Sequence, residues 1–256
     1  MVDLHCHILP GLDDGASSLD ESVAMAEEAV HDGITHVVAT PHASSYYSFD
    51  YAKVCRVRAL LQEKLNGRLT LATGCDFHLS LENLAALRID PAPFCINRKN
   101  YLLVEFNEHC IPPAMDQVLR DLQLARLCPI VTHPERNSLL HMQPGRLEAW
   151  VREGCYAQIT AGSLSGVFGP NSREDAWNWI ARGLVHFISS DAHNTAHRPL
   201  KLKFAYDAVA ERFDEEKARA LLVENPLAAF EGRPLPHIPS VPRSKERPRR
   251  KRFLFF

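Results

Sequence analysis

The chain lacks any run of about 18 apolar residues, so nothing in it reads as a membrane-spanning helix. No basic stretch followed by an apolar segment precedes the first strand, and no secretory leader is expected. The seven cysteines (Cys6, Cys55, Cys75, Cys95, Cys110, Cys128 and Cys155) are odd in number, scattered, and never in C-x-x-C spacing. That argues against a disulfide framework or a zinc knuckle, and for reduced thiols in a cytoplasm. None has an arginine six residues on, which excludes a cysteine-nucleophile phosphatase of the C-x5-R kind. There is no G-x-S-x-G elbow and no P-loop. Nor does G-x-G-x-x-G follow the first strand; Gly162, Gly166 and Gly169 do not match that spacing.

An excess of charge of either sign is also lacking, at −2 net over 256 residues, but the charges are unevenly placed. Residues 233–256 carry eight Lys/Arg against one Glu, which leaves −9 on the rest. A mildly acidic body is not the footprint of a nucleic-acid-binding protein. The division expected is a body over 1–232 and a basic, proline-rich, disordered tail over 233–256. The tail ends Phe253-Leu254-Phe255-Phe256, so weak peripheral contact with an anionic membrane at the inner face is one use for it.

What is present is a regular alternation. Strands are expected at about 2–8, 34–40, 69–73, 101–106, 129–132, 156–160 and 184–189, each followed by helical sequence. Ser18 with Glu21 reads as a capping box and Asp50 as an N-cap. Pro112 and Pro113 open a helix, and a glycine-rich turn is expected over 161–169. Seven β-α units in succession imply α/β architecture with a parallel sheet and right-handed crossovers. Closed on itself this is a distorted seven-stranded (β/α)7 relative of the eight-fold TIM barrel; an open doubly wound sheet is the alternative.

Acids and imidazoles cluster at the carboxyl ends of these strands. His5 and His7, two apart, share one strand face. His42, Asp76, Glu105 and His133 follow the second to fifth strands, and Asp191 with His193 follows the seventh. In a barrel those ends converge on one face. Eight such residues exceed the needs of one four-coordinate ion and suit two or three clustered ions. Mixed imidazole and carboxylate ligation fits Mn, Fe, Zn or Co better than Ca or Cu. Arg136 and Arg198 are placed to reach over the ions toward an anionic, tetrahedral group such as phosphoryl. Asp13 and Asp14 could orient a water or protonate a leaving group. His36 and His186, early in their strands, read as structural.

The run His5-Cys6-His7-Ile8-Leu9-Pro10-Gly11-Leu12-Asp13-Asp14-Gly15-Ala16, with Ala39-Thr40-Pro41-His42, Leu103-Val104-Glu105-Phe106, His133-Pro134-Glu135-Arg136, Gln158 to Leu164 and Ser190-Asp191-Ala192-His193, resembles the polymerase-and-histidinol-phosphatase (PHP) superfamily. Within it the likeness is to the bacterial manganese-dependent tyrosine-protein phosphatases of capsule and exopolysaccharide clusters, the CpsB/CapC/YwqE type. It covers residues 1 to about 230. The resemblance implies a trinuclear site: His5, His7, Glu105 and Asp191 on one ion, Glu105 bridging to a second with His133, and His42, Asp76 and His193 on the third. It further implies that Arg136 and Arg198 hold phosphate and that Asp14 lies beside the attacking water. Asp76 departs from the glutamate usual there and is shorter by one C–C bond, about 1.5 Å.

The activity expected is hydrolysis of phosphotyrosine on the tail of a capsule-assembly tyrosine kinase, by a metal-bridging hydroxide attacking phosphorus. Tyr46 and Tyr47 could stack on the substrate ring or pack their loop. The alternatives are a small-molecule phosphatase of the histidinol-phosphate kind, or a non-catalytic metal-binding regulator of the kinase.

Overall fold

Seven strands form where alternation and β-branched residues call for them, and two of the seven are broken in the middle. The computed structural model describes residues 1–240; the rest of the basic tail, 241–256, and the lipid contact assigned to it lie outside the described residues. The strands are β1 (Val2–Cys6), β2 (His36–Ala39), β3 (His42–Ala43), β4 (Thr70–Thr73), β5 (Asp76–His78), β6 (Tyr101–Glu105), β7 (Cys128–Thr132), β8 (Tyr156–Thr160) and β9 (Phe187–Ser189). All ladders are parallel, in two sheets ordered β1-β2-β4 and β3-β5-β6-β7-β8-β9.

The breaks have a cause. Pro41 has no N–H to give a ladder, and Gly74 sits where a Cβ would lie 2.9 Å from Val38 Cγ1 and 3.2 Å from Thr40 Cγ2. Pairing nevertheless keeps step: His36 faces Thr70 before the break and His42 faces Asp76 after it. β3 and β5 therefore continue β2 and β4 into the second sheet. At the other edge, Asp191 N donates to His5 O (2.9 Å) and His7 N to Ala192 O (2.8 Å). These bonds set the segment after β9 against the end of β1.

Helix ends follow their caps. Ser18 accepts from Glu21 N at the start of Leu19–His31, Asp50 from Lys53 N before Tyr51–Lys64, and Ser80 from Asn83 N before Leu81–Ile89. The capping box is displaced by one residue, because the Glu21 carboxylate takes Ser17 N (2.8 Å) and Ser17 Oγ (2.7 Å). Three helices were not anticipated, the first being the short Ser138–Met142 capped by Asn137. Ala161–Ser165 occupies the expected glycine turn and ends at Gly166 with φ +91. Asn225–Glu231 carries Pro226 in its first turn, where a missing N–H leaves no bond unmade.

Apolar packing falls in two layers. One large cluster fills the space between strands and helices. A second includes Leu4, Val38, Ala72, Tyr101, Leu103, Ile130 and Phe187, closed off by Ala228, Ala229 and Phe230 of the last helix. Each large aliphatic or aromatic side chain so buried stabilises the fold by about 1.5–3 kcal/mol. The first residues assigned to the tail run along this end. Leu235 is buried, Tyr101 Oη donates to Arg233 O (2.8 Å), and Asn225 bonds both His237 O (2.7 Å) and His237 N (3.1 Å). All seven cysteines are free, and Cys6, Cys75, Cys95 and Cys155 are buried. Among the described residues no helix is long and apolar enough to cross a membrane.

Candidate metal centre

The first strand delivers its histidines through a bulge. Pairing with β2 steps from Asp3 opposite Val37 to Cys6 opposite Ala39, three residues against two. Such an extra residue re-aims the side chains around it. Here Leu4 joins the inner apolar cluster while His5 and His7 bring their Nε2 atoms within 3.2 Å of each other. The outer ring nitrogens are held: His5 Nδ1 lies 3.0 Å from Gln158 Oε1 and His7 Nδ1 2.7 Å from Asp13 Oδ2. With each Nδ1–H donating to oxygen, both Nε2 lone pairs point inward, the arrangement of metal-binding histidines.

Asp13 also accepts Gly15 N (3.0 Å) and His42 N (3.0 Å). It thus fixes the loop, one ring and the start of β3 together. Gly15 is required there, since a Cβ would fall 2.0 Å from His7 O.

Asp191 sits opposite at φ +52, a backbone conformation costly for a non-glycine residue. Its Oδ1 lies 3.5 Å from His5 Nε2 and 3.4 Å from His7 Nε2, and its Oδ2 pairs with both Arg136 and Arg198. Burial opposes its charge, but His5, His7 and the two guanidiniums outweigh burial and hold the carboxyl well below its usual range. His133, at φ +31, brings Nε2 to 3.6 Å from Glu105 Oε1. Under that turn Glu135 is buried, accepting Thr160 N (2.9 Å) and Ser163 Oγ (2.7 Å), and burial pushes it up to about 7. The arginines rest on Phe168, with Arg136 4.2 Å and Arg198 6.0 Å from the ring centre.

Asp76, buried, lies 3.4 Å from His5 Nε2 and 3.2 Å from His42 Nδ1. Glu105 Oε2 is 3.5 Å from His42 Nδ1 and in contact with His78 Nε2. On the open side Asp14 Oδ1 stands 3.5 Å from His42 Nε2 and 3.6 Å from His193 Nε2. Hydrogen bonding to His193 keeps the Asp14 carboxyl well below its usual value.

All eight imidazoles and carboxylates expected at the site are therefore brought together, with Asp14 and both arginines at its rim. Their grouping differs from the one the resemblance implies. The sets able to close on one ion are His5, His133 and Asp191; His5, His7 and Asp76; His7, Asp14, His42 and His193; and His42, Asp76, His78 and Glu105. Asp76 thus lies with Glu105 rather than with His193, and Asp14 belongs to a donor set. His78 was not anticipated. Its signal was the same as for His5 and His7, two residues apart on one strand face, but β5 begins beyond the point where the third strand reads as ended.

The donor chemistry fits a group of divalent ions. Asp76 Oδ1 and Oδ2, Glu105 Oε2 and His42 Nδ1 are buried facing one another and the rings of His5 and His78, with no backbone or hydroxyl group bonded to them. Anionic oxygens at such depth are costly unless a cation meets them. The imidazoles show the same deficit of positive charge. Burial alone would depress His5 and His42, yet Asp76 and its carboxylate neighbours raise them to about 9 and about 11. His133 goes the other way, to about 4, through burial and the Arg136 guanidinium. Beside the centre a cavity of about 360 Å³ is lined by His42, Tyr46, Tyr47 and Phe49. Tyr47 lies nearly parallel to His42, ring centres 5.8 Å apart, whereas Tyr46 is exposed.

Comparison with known proteins gives one consistent family. Residues 1–231 match the family model described as capsular polysaccharide synthesis, CpsB/CapC. The chain is 34% identical over 223 residues to the tyrosine-protein phosphatase YwqE of Bacillus subtilis, covering 84% of this chain and 86% of that one. It is 30% identical over 236 residues to the tyrosine-protein phosphatase CpsB of Streptococcus pneumoniae, covering 88% and 96%. Among solved structures, one chain from the work described as crystal structures of YwqE from Bacillus subtilis and CpsB from Streptococcus pneumoniae, metal-dependent tyrosine phosphatases, matches with TM-score 0.86 and 31% identity over 95% of this chain and 100% of that one. A histidinol phosphate phosphatase of Lactococcus lactis matches at TM-score 0.54 and 15% identity, a likeness of fold alone.

Proposed function

The chain belongs to the CpsB/CapC family, and on that premise we propose that it is a metal-dependent phosphatase that hydrolyses phosphotyrosine. The observation that carries this reading is the donor cage itself: imidazoles and carboxylates from six distant segments facing one another, with two guanidiniums turned to the same carboxylate.

His5, His7, His42, Asp76, Glu105, His133, Asp191 and His193 would hold two to three ions, Mn2+ foremost, with Fe, Zn or Co as alternatives. Glu105 is suited to bridging, because Oε1 faces His133 and Oε2 faces His42. When bound, the ions supply Lewis acidity that activates water and offsets charge on phosphoryl oxygens. Gln158 and Asp13 fix the His5 and His7 rings with Nε2 inward. Arg136 and Arg198 present planar donors to the transferring phosphoryl oxygens and strengthen their hold as charge builds there. Asp14 Oδ1, kept ionised at the open edge by His193, would accept a hydrogen bond from the attacking water and orient it. The phenolate leaving group has a pKa near 10, so departure needs no strong acid, and none stands at the rim.

The substrate proposed is the phosphotyrosine tail of a bacterial tyrosine kinase of capsule assembly. Tyr46, at the mouth of the cavity beside His42, offers its exposed ring to the substrate phenyl group, while Tyr47 packs on His42. The basic stretch 233–256 would bring the enzyme to an anionic membrane where such a kinase resides; co-sedimentation with anionic vesicles, with and without that stretch, tests this.

The deciding assay compares phosphate release from a phosphotyrosine peptide and from histidinol phosphate, with added Mn2+ and after chelation. Faster turnover of the peptide, abolished by chelation, is expected. Faster turnover of histidinol phosphate would transfer the chain to the small-molecule phosphatases. Metal-loaded protein that binds the kinase tail and releases no phosphate would make it a regulator.

A further inference from the structure

His78 stands outside the eight donors expected from the sequence, yet the sheet places it among them. In the ladder from β3 to β6, His42 is directly opposite Asp76, and His78 directly opposite Glu105. Asp76 and His78 lie two apart on β5 and so share a face. Four donors therefore form two neighbouring cross-strand pairs over three adjacent strands, an outcome of register before any side-chain detail. The side chains agree: one donor atom from each of His42, Asp76, His78 and Glu105 falls within 4.8 Å of the others.

The backbone at this point is fastened. Asn83 Nδ2 donates to both Ala43 O (2.7 Å) and His78 O (2.9 Å), and Ser80 N also donates to His78 O (2.9 Å). Those bonds hold the ends of β3 and β5 at a fixed separation. Within the patch Asp76 is fully buried, and its carboxylate faces imidazole nitrogens, His42 Nδ1 at 3.2 Å and His5 Nε2 at 3.4 Å. The Asp76 carboxylate is also short: a glutamate would reach about 1.5 Å further.

We infer that His78 is a metal ligand of this chain, closing with His42 Nδ1, Asp76 and Glu105 around one outer divalent transition-metal ion. The inference rests on the metal-dependent reading above and adds a ligand to it. Two imidazoles and two carboxylates make a mixed set that suits Mn, Fe, Co or Zn rather than Ca or Mg. His42 faces this set through Nδ1 and the Asp14–His193 set through Nε2. A single imidazole serves one ion at a time when neutral. His5 and His7 face Asp76 from the inner side, whereas His78 supplies a second imidazole on its Glu105 side and so draws the outer ion toward Glu105.

The test is metal uptake by the full chain. Wild type, His78→Ala and Asp76→Glu/His78→Ala are stripped with chelator, dialysed against graded Mn2+, and assayed for bound metal by mass spectrometry. His78→Ala is expected to lose one ion per chain, or to need at least 10-fold more Mn2+ for it, with circular dichroism unchanged. The longer carboxylate in the double variant should recover that ion. Should His78→Ala fold poorly, the wild type decides. His78 is partly exposed, so diethylpyrocarbonate modifies it, and bound Mn2+ should protect it in a site-resolved digest. Coincident isotherms for wild type and His78→Ala, or no protection by Mn2+, overturn the inference. If wild type still releases phosphate from phosphotyrosine in a metal-dependent way, the proposed activity stands without His78. A wild-type chain that takes up no ion overturns both.

Discussion

The two ends of the strands solve opposite problems with the same backbone. Toward their amino ends the inner positions are Leu4, Val38, Ala72, Leu103, Ile130 and Phe187, sealed by Phe230 and its neighbours. Toward the carboxyl ends, one to four residues later, they become His5, His42, Asp76, Glu105, His133 and Asp191. The apolar end is closed by matching shape, and it stabilises the molecule. The polar end crowds buried carboxylates against imidazoles and holds two non-glycine residues at positive φ. Stability generated at one end offsets strain and desolvation at the other, a division expected wherever a rigid scaffold carries reactive groups.

Substitutions at the two ends should therefore fail in different ways. The largest effect is expected from Asp191→Asn, which keeps the shape but removes the charge facing two imidazoles and two guanidiniums. Phosphotyrosine turnover per folded molecule should fall by about 10³-fold or more; losing a charge that the fold favours also lowers the melting temperature, so a steady-state assay is read beside a thermal melt. Phe187→Ala, at the closed end, should lower stability alone. The loss is about 3–5 kcal/mol of stability, seen as an earlier urea midpoint, while turnover per folded molecule is retained. If Phe187→Ala lowered turnover of the folded fraction as much as Asp191→Asn, the two ends would not be separable.

His186 sharpens the contrast through pH. It is buried away from the donor cage, its Nδ1 accepting Ala157 N (3.2 Å), and burial depresses it from the ordinary 6.5 to about 4. The unfolded chain therefore binds a proton that the folded chain refuses. Stability is unaffected above about pH 6.5, declines as pH falls from there toward 4, and levels off below. The loss across that window is on the order of 3 kcal/mol. Urea midpoints at pH 7 and pH 4.5 should converge in His186→Gln relative to wild type; an unchanged gap would assign the acid sensitivity elsewhere. The smallest effect is expected from Asp13→Asn, which weakens the hold on the His7 ring without removing a ligand. Metal affinity should fall by about 10-fold, measured by Mn2+ titration of the stripped protein.

Much of this was legible in the residues, for reasons that differ by element. β7 and β8 carry short apolar runs bounded by turn signals, and their limits were foreseen within a residue. Ser18, Asp50 and the prolines before Ala114 marked helix starts because those side chains act locally. The site was readable because donors recur at the carboxyl ends of six of the seven expected strands, and a parallel sheet turns that recurrence into a place. What sequence concealed depends on neighbours. The bulge in β1 is defined only by its pairing with β2, and the break at Gly74 only by Val38 and Thr40. His78 was missed because Gly74-Cys75 reads as a strand end, whereas the chain resumes pairing at Asp76. The helix after Asn225 was hidden by Pro226, taken for a stop but tolerated in a first turn. Asp191 engages both arginines through one oxygen, an arrangement no spacing reveals.

The most direct measurement is anomalous diffraction at the manganese edge from crystals of the Mn2+-loaded chain. Two or three peaks should appear inside the rim, each about 2.0–2.3 Å from imidazole nitrogens or carboxylate oxygens of His5, His7, His42, Asp76, Glu105, His133, Asp191 and His193. Anomalous density confined to the outer surface, with that cage empty in protein that hydrolyses phosphotyrosine, would contradict the account.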